Sequence, residues 1–256
     1  MKMPSRNMMS RKMTGNFVAD DSVIGDLINA TFVPNNYVGL WQRTFYENKA
    51  GQDTTSLVLW MQTSQQHADI RIPAHRPDFS NCKSLIDCTN NQLRWLATQQ
   101  GFFGYTHIRD SVCEWRREID FQPKNNTRDI ADMVFDGENT LLETGIDTPY
   151  LEIWKKVENT HGQANVRTIS GLNRQDETVT AYLLRTGNHM AYVRPRSVEV
   201  PNASSLLDAI NMHQPSQEVL LDWLDVEISF GEMIDEMQWQ VMQSTLPFVE
   251  GSLRDK

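Results

Sequence analysis

The chain lacks any apolar run approaching the roughly 20 residues that a membrane-spanning helix requires, which excludes a helical span. Positive charge is also scarce: 24 Lys and Arg stand against 33 Asp and Glu, a net charge of −9. A partner with a phosphate backbone calls for a basic footprint, so no nucleic acid is expected. Cysteine is limited to Cys82, Cys88 and Cys113. Cys82 and Cys88 are spaced wrongly for a zinc knuckle, and no second Cys or His pair follows them. Three reduced thiols in a cytoplasmic protein are therefore expected, with a Cys82–Cys88 bridge as the alternative. The six histidines (His67, His75, His107, His161, His189 and His213) are scattered, without the close spacing of a metal site. Neither a metal nor a cofactor is expected. No G-x-S-x-G elbow, Walker-type loop or dinucleotide glycine pattern is present, so no nucleophile or nucleotide site announces itself.

What is present is order of one kind. The 256 residues are 39% hydrophobic and 22% charged, the balance of a folded domain with a sizeable core. A leader, residues 1–35, is set apart: MKMPSRNMMSRKM is basic and rich in methionine but has no apolar centre, so it reads as a solvated tail and not as a secretory signal. A short helix is expected at 21–30, ending before Pro34. From residue 38 the hydrophobic period becomes two. Strands are expected at 38–47, 54–63, 68–72, 102–109, 112–121, 130–135, 140–144 and 150–157, and then at 166–169, 178–185, 189–194, 219–230 and 237–242. Turn chemistry at 48–52, 136–139 and 186–188 separates neighbours, and 74–90 is a polar, proline-bearing loop. Helical spacing is confined to 90–100, with Gly101 just past its end, and to 203–212. Met237, Trp239 and Val241 share one face of the last strand, and Met237 and Met242 read as adaptable core filler.

These signals describe an all-β protein, an antiparallel barrel of about ten or more strands with one or two short helices. Residues 36–251 form either one barrel domain or two halves, 36–158 and 164–251, with the best boundary at 159–163.

Polar groups that interrupt an apolar strand face are the informative positions. Arg43 lies between Trp41 and Phe45, and Arg117 lies among Cys113, Trp115, Ile119 and Phe121. Glu152 separates Tyr150 from Trp154, and Trp60 and Gln62 share a face with Val58. If these faces turn inward, Trp41, Arg43, Trp60, Gln62, Arg117, Glu152 and Trp154 line a pocket with apolar walls and a few placed polar groups. The alternative is structural: Arg117 and Glu152 pair with each other, or the faces point outward. A buried cation needs a partner in either case. Asp69 and Arg71 share a face of 68–72 and read as a surface ion pair. His107, on the face of Tyr105, is an interior candidate, whereas His189, beside a turn, is expected in solvent.

The opening Gly39-Leu40-Trp41, the ladder of strands and the mid-chain helix together resemble the calycin (lipocalin-like) superfamily. The likeness extends to uncharacterised barrel proteins related to the yeast HRI1 protein. It rests on Leu59-Trp60-Met61-Gln62, residues 68–73, Asp120-Phe121-Gln122-Pro123 and Ser244-Thr245-Leu246-Pro247, and covers about residues 37–251. In such barrels a G-x-W start lets an aromatic plug the floor. Gln42-Arg43 follows Trp41 here in place of the glycine-rich continuation of haem-binding relatives, which argues against haem. The resemblance implies a container for a small hydrophobic or amphipathic molecule and transfers no catalytic residue. Two other readings stand beside it. One is an isomerase, cyclase or hydrolase on the same scaffold, with Glu152 or His107 as acid or base. The other is an interaction module presenting the 74–90 loop or the second half.

Overall fold

A computed structural model of the chain describes residues 32–124 and 127–256. The expected helix at 21–30 lies outside the described residues.

Two antiparallel sheets follow one another in the chain. The first contains β1 (Gly39–Asn48), β2 (Gly51–Asp53), β3 (Leu57–Gln62), β4 (Gln66–Ile72), β5 (Gln100–Arg109), β6 (Val112–Asp120), β7 (Asp129–Phe135), β8 (Thr140–Gly145) and β9 (Tyr150–Lys156). β1 pairs with β3, each strand from β3 to β8 pairs with the next along the chain, and β1 pairs with β9, so eight strands close into a barrel with β2 as an appendage on β1. Closure runs from Trp41 opposite Lys156 to Asn48 opposite Tyr150, with a bulge between Arg43 and Phe45. The second sheet is a half-barrel meander of β10 (Ala164–Leu172), β11 (Thr178–Thr186), β12 (His189–Arg194), β13 (Glu227–Met233), β14 (Gln238–Ser244) and β15 (Leu253–Asp255). The all-β, antiparallel barrel expected from periodicity is what forms.

Three short α-helices accompany the sheets among the described residues: α1 (Asn90–Leu96), α2 (Leu206–His213) and α3 (Gln217–Leu224). Thr89 caps α1, accepting from the Gln92 N–H while Gln92 accepts from the Thr89 N–H, a reciprocal pair that fixes the first turn. The helix stops before Gly101, which belongs to β5. A Cβ on Gly101 would lie 2.7 Å from the Asp69 carbonyl, so glycine serves strand packing here and not helix termination.

The single strand expected at 219–230 is a correction. Ser216 accepts from the Val219 N–H and starts α3, which buries Leu221, Trp223 and Leu224, and only Glu227 onward is strand. Its run of branched and aromatic residues satisfies both periods over a short window, and the serine cap decides for helix. Likewise the strand expected at 54–63 begins only at Leu57, after a bend at 54–56, and β2 occupies residues 51–53, part of the stretch expected as turn.

The apolar residues form three layers. Trp41, Val58, Trp60, Cys113, Trp115, Ala131, Met133, Leu141 and Trp154 fill the barrel interior. A second core holds the outward residues Leu59, Met61, Ala68, Ile70, Ile72 and Phe103 against Leu184, Ala191, Val193, Ile228 and Phe230 of the second sheet and against the helices. The other face of that sheet packs Ala181, Leu183, Met190, Tyr192, Trp239 and Val241 together. Met237 and Met242 join none of these cores; both are exposed and do not serve as filler. All three cysteines are free thiols, so the alternative Cys82–Cys88 bridge is absent.

Candidate functional site at the barrel mouth

Barrel strands alternate, so outside the bulges at Arg43–Phe45 and Phe103–Gly104 the interior is lined by every second residue. One end is sealed. Trp41 is fully buried, donates from Nε1 to the Tyr37 carbonyl at 2.7 Å, and stacks on Trp60 at 6.2 Å, with the Lys156 ammonium 4.6 Å above its ring. Gly39 adopts φ +142°, and a Cβ there would stand 2.9 Å from Thr160 Oγ1. Thr160 lies in the connector between the sheets and accepts from the Leu40 N–H, so the glycine lets the connector clamp the barrel floor.

Above the tryptophans the interior becomes ionic. Arg43 donates to Glu152 and to Asp53, each at 2.8 Å. Arg71 holds Asp69 at 2.9 Å and approaches Glu152 at 3.8 Å. Arg117 bridges Asp120 at 2.9 Å and Asp129 at 2.6 Å, with its guanidinium 3.7 Å from the centre of the Phe102 ring. Glu143 sits directly across the β8–β9 ladder from Glu152. Among the described residues it forms no ion pair, and it accepts instead from the Tyr150 hydroxyl at 2.6 Å and Trp154 Nε1 at 2.9 Å. Burial, reinforced by the charge of Glu152, pushes the Glu143 carboxyl well above the ordinary range, so it is held as the neutral acid. Burial also raises Asp69. Nearer the floor, the amide nitrogen of Gln62 is committed to the Thr63 and Gln66 carbonyls, which leaves its oxygen to accept from Thr106 Oγ1 at 2.7 Å. The Thr106 oxygen must then accept from His67 Nδ1 at 2.9 Å, and burial lowers His67 to about 3, fixing it as a neutral Nδ1–H ring.

All seven residues named from the sequence (Trp41, Arg43, Trp60, Gln62, Arg117, Glu152 and Trp154) are on the inward face. Arg117 and Glu152 do not pair with each other: Arg117 takes aspartates near the rim, and Glu152 takes Arg43. The Asp69–Arg71 pair forms inside the barrel and not on the surface, because Ala68, Ile70 and Ile72 need the opposite face for the second core. His189 is buried, with Nε2 2.7 Å from the Glu158 carbonyl, and is not in solvent. His107 is on the outer face of β5 beside exposed Tyr105, not in the interior.

The interior is thus nearly full. The void between Trp60, Asp69, Arg71, Phe102, Trp115 and Glu143 measures about 10 Å³, room for about one water. The open space lies just above it. A cleft of about 760 Å³ begins at Trp115, Arg117 and Asp129 in the barrel mouth and runs out past Ile119, Ile130 and Tyr150. Its far wall is the segment after β12: Pro195, Arg196, Val198 and Val200. Arg196 donates to the Phe121 carbonyl, but its Nε is buried without an acceptor, and it forms no ion pair among the described residues. Burial lowers its pKa to about 10. The sequence reading missed Asp69, Arg71, Asp129, Glu143 and Arg196. Glu143 carried a signal, since it shares a period-two face with Leu141 one rung from the Glu152 face. Arg196 carried none, because its position depends on the second sheet.

No family model matches the chain, and no curated protein does. Among solved structures it is similar to the crystal structure of an uncharacterised protein, YLR301w, from Saccharomyces cerevisiae, at 11% identity and a TM-score of 0.50, over 80% of this chain and 84% of that one. That likeness supports a barrel fold.

Proposed function

We propose that this protein is a calycin-like cytoplasmic binding protein that takes a small amphipathic molecule with an anionic head in the cleft at the barrel mouth. The observation that carries this reading is Arg196, a guanidinium on the wall of the cleft that forms no ion pair among the described residues. A half-buried cation without a counter-charge is costly, and a carboxylate, sulfonate or phosphate head in the cleft would supply one. Trp115, Ile119, Ile130, Val198 and Val200 offer the apolar body a wall of the kind that ligand clefts use. The ion-paired barrel interior serves as the rigid platform beneath, and the ligand sits on it and not inside it.

A catalytic reading gains one group, the neutral acid Glu143, but that acid faces a void that admits a water and no substrate. Binding is therefore the favoured reading. Titration with 1-anilinonaphthalene-8-sulfonate, an aromatic body with an anionic head, tests it. Saturable fluorescence is expected, competed by decanoate, weakened at least fivefold by Arg196→Gln and blocked by Val198→Trp. Unsaturable binding, or unchanged affinity in both variants, refutes it.

A further inference from the structure

A second hollow lies away from the mouth, on the face of the half-barrel that does not touch the barrel. The register sets Asn165 opposite Arg185 and Arg167 opposite Leu183 across β10 and β11, and Arg185 opposite Met190 across β11 and β12. Paired residues point to the same side of a sheet, so two guanidiniums, an amide and two apolar side chains converge there. Lys256, tied down by its N–H to the Met237 carbonyl, closes the far side. The resulting space is about 200 Å³, with buried Leu183 and Met190 as its floor.

Its charge is unusual for this chain. The net charge is −9, and Arg43, Arg71, Arg117, Arg174 and Arg194 all hold carboxylates. No carboxylate side chain lines this hollow, and among the described residues Arg167, Arg185 and Lys256 form no ion pair. Arg185 spends only Nε, on the Gly187 carbonyl, and keeps its terminal nitrogens for other use. Arg167 and Arg185 stand on one face with no Asp or Glu side chain beside them, where like charges repel, and an acidic protein has carboxylates to spare, so this pair points outward to a ligand.

We propose that this hollow binds a small phosphate monoester. Two forked guanidiniums and an ammonium match the oxygens of a phosphoryl group, which carries two charges near neutral pH. The amide of Asn165 and the Leu183–Met190 floor leave space for a short carbon body. The volume is below the ~300–1,000 Å³ of sites for drug-sized molecules, which restricts that body to sugar-phosphate dimensions. This site is independent of the mouth cleft and stands whether or not that reading holds.

Calorimetric titration of the full chain with glycerol 3-phosphate at low ionic strength tests the proposal, with glycerol and succinate as controls. Saturable one-site binding of the phosphate is expected, with glycerol silent and succinate at least tenfold weaker. Arg167→Gln and Arg185→Gln should each weaken binding tenfold or more, while Arg109→Gln, at the end of β5, should not change it. Arg167 is exposed, so its loss leaves the fold intact and the result interpretable. Absence of saturable binding, equal binding of succinate, or indifference to both hollow variants would overturn the assignment.

Discussion

Glu143→Gln is the substitution that most directly probes the ionic interior. In the folded protein the Glu143 carboxyl is neutral, pushed up by burial and by Glu152 across the ladder, whereas in the unfolded chain it ionises near 4.5. The native state therefore binds one more proton than the unfolded state at every pH between those two values. Its stabilising contribution is complete below 4.5 and is lost as pH rises toward the folded value, at about 1.4 kcal/mol per pH unit. Glutamine cannot ionise and escapes that slope. It does disturb the hydrogen bonds: its oxygen can still accept from Trp154 Nε1, but its amide must face Tyr150, whose hydroxyl turns from donor to acceptor. That exchange costs about 0.5–1.5 kcal/mol, the net value of one hydrogen bond. At pH 4.5 the variant should thus be slightly less stable than wild type. As pH rises above 4.5 wild type progressively loses stability that the variant keeps, and the order reverses. Urea unfolding followed by tryptophan fluorescence at fixed ionic strength from pH 4.5 to 7.5 reads the difference directly. If the two stability curves run parallel, or if wild type gains on the variant as pH rises, Glu143 is ionised in the fold and the assignment of a neutral acid is wrong.

Gly104 forms the β5–β6 bulge, where a Cβ would lie 1.9 Å from the Arg116 carbonyl, so Gly104→Ala should cost at least about 1–3 kcal/mol, read as a lower urea midpoint with an unchanged slope. Arg194 and Asp225 make a buried pair at 2.6 Å, and Arg194→Gln, which leaves the carboxylate without a cation and with the Arg174 N–H as its remaining donor, should lose about 3–5 kcal/mol; a loss under 1 kcal/mol would show that this donor suffices. His67 should remain a neutral Nδ1–H ring from pH 8 down to pH 5 in long-range nitrogen–proton spectra, and any titration above pH 5 would contradict the Gln62–Thr106–His67 relay.

How much of this was legible in the sequence depends on which face of a strand meets which core. The strands of β1, β3, β6 and β9 were readable because tryptophans mark their inner face, and the same tryptophans placed Arg43, Arg117 and Glu152 beside them. β4 was misread because its apolar residues Ala68, Ile70 and Ile72 face outward, into the layer shared with the second sheet. Its inner face, His67, Asp69 and Arg71, therefore looked like a solvent face. Period two gives the alternation but not its phase, and a sheet covered on both sides supplies no solvent face to set it. The partners of Arg117 were illegible for a related reason: Asp120, on the same strand, is brought to its side by the β5–β6 bulge, and Asp129 by the pairing of β7 with β6, neither of which period two reveals. In α3 a serine cap outweighed a strand-like composition, a signal present in the sequence but local enough to be overlooked.

The double covering of β4 also bears on where a ligand can sit. A lone barrel turns its polar side chains to water and keeps its apolar ones for the cavity. Here the outer wall of β3, β4 and β5 is occupied by the second sheet and the helices, so Leu59, Met61, Ile70 and Phe103 take the outward positions. On β4 the inner face is left to the polar Asp69 and Arg71, which pair with each other, and together with Arg43, Glu143 and Glu152 from β1, β8 and β9 they fill the space in which a ligand would otherwise lie. Each ion pair made there removes volume and fixes side chains that an empty pocket would leave free. The same second sheet that displaces the polar groups inward also brings Pro195, Arg196, Val198 and Val200 over the barrel mouth. Packing one sheet against the other thus turns the polar face of β4 into the interior and builds the far wall of the cleft above it, which ties the inward Asp69–Arg71 pair and the position of Arg196 to a single cause.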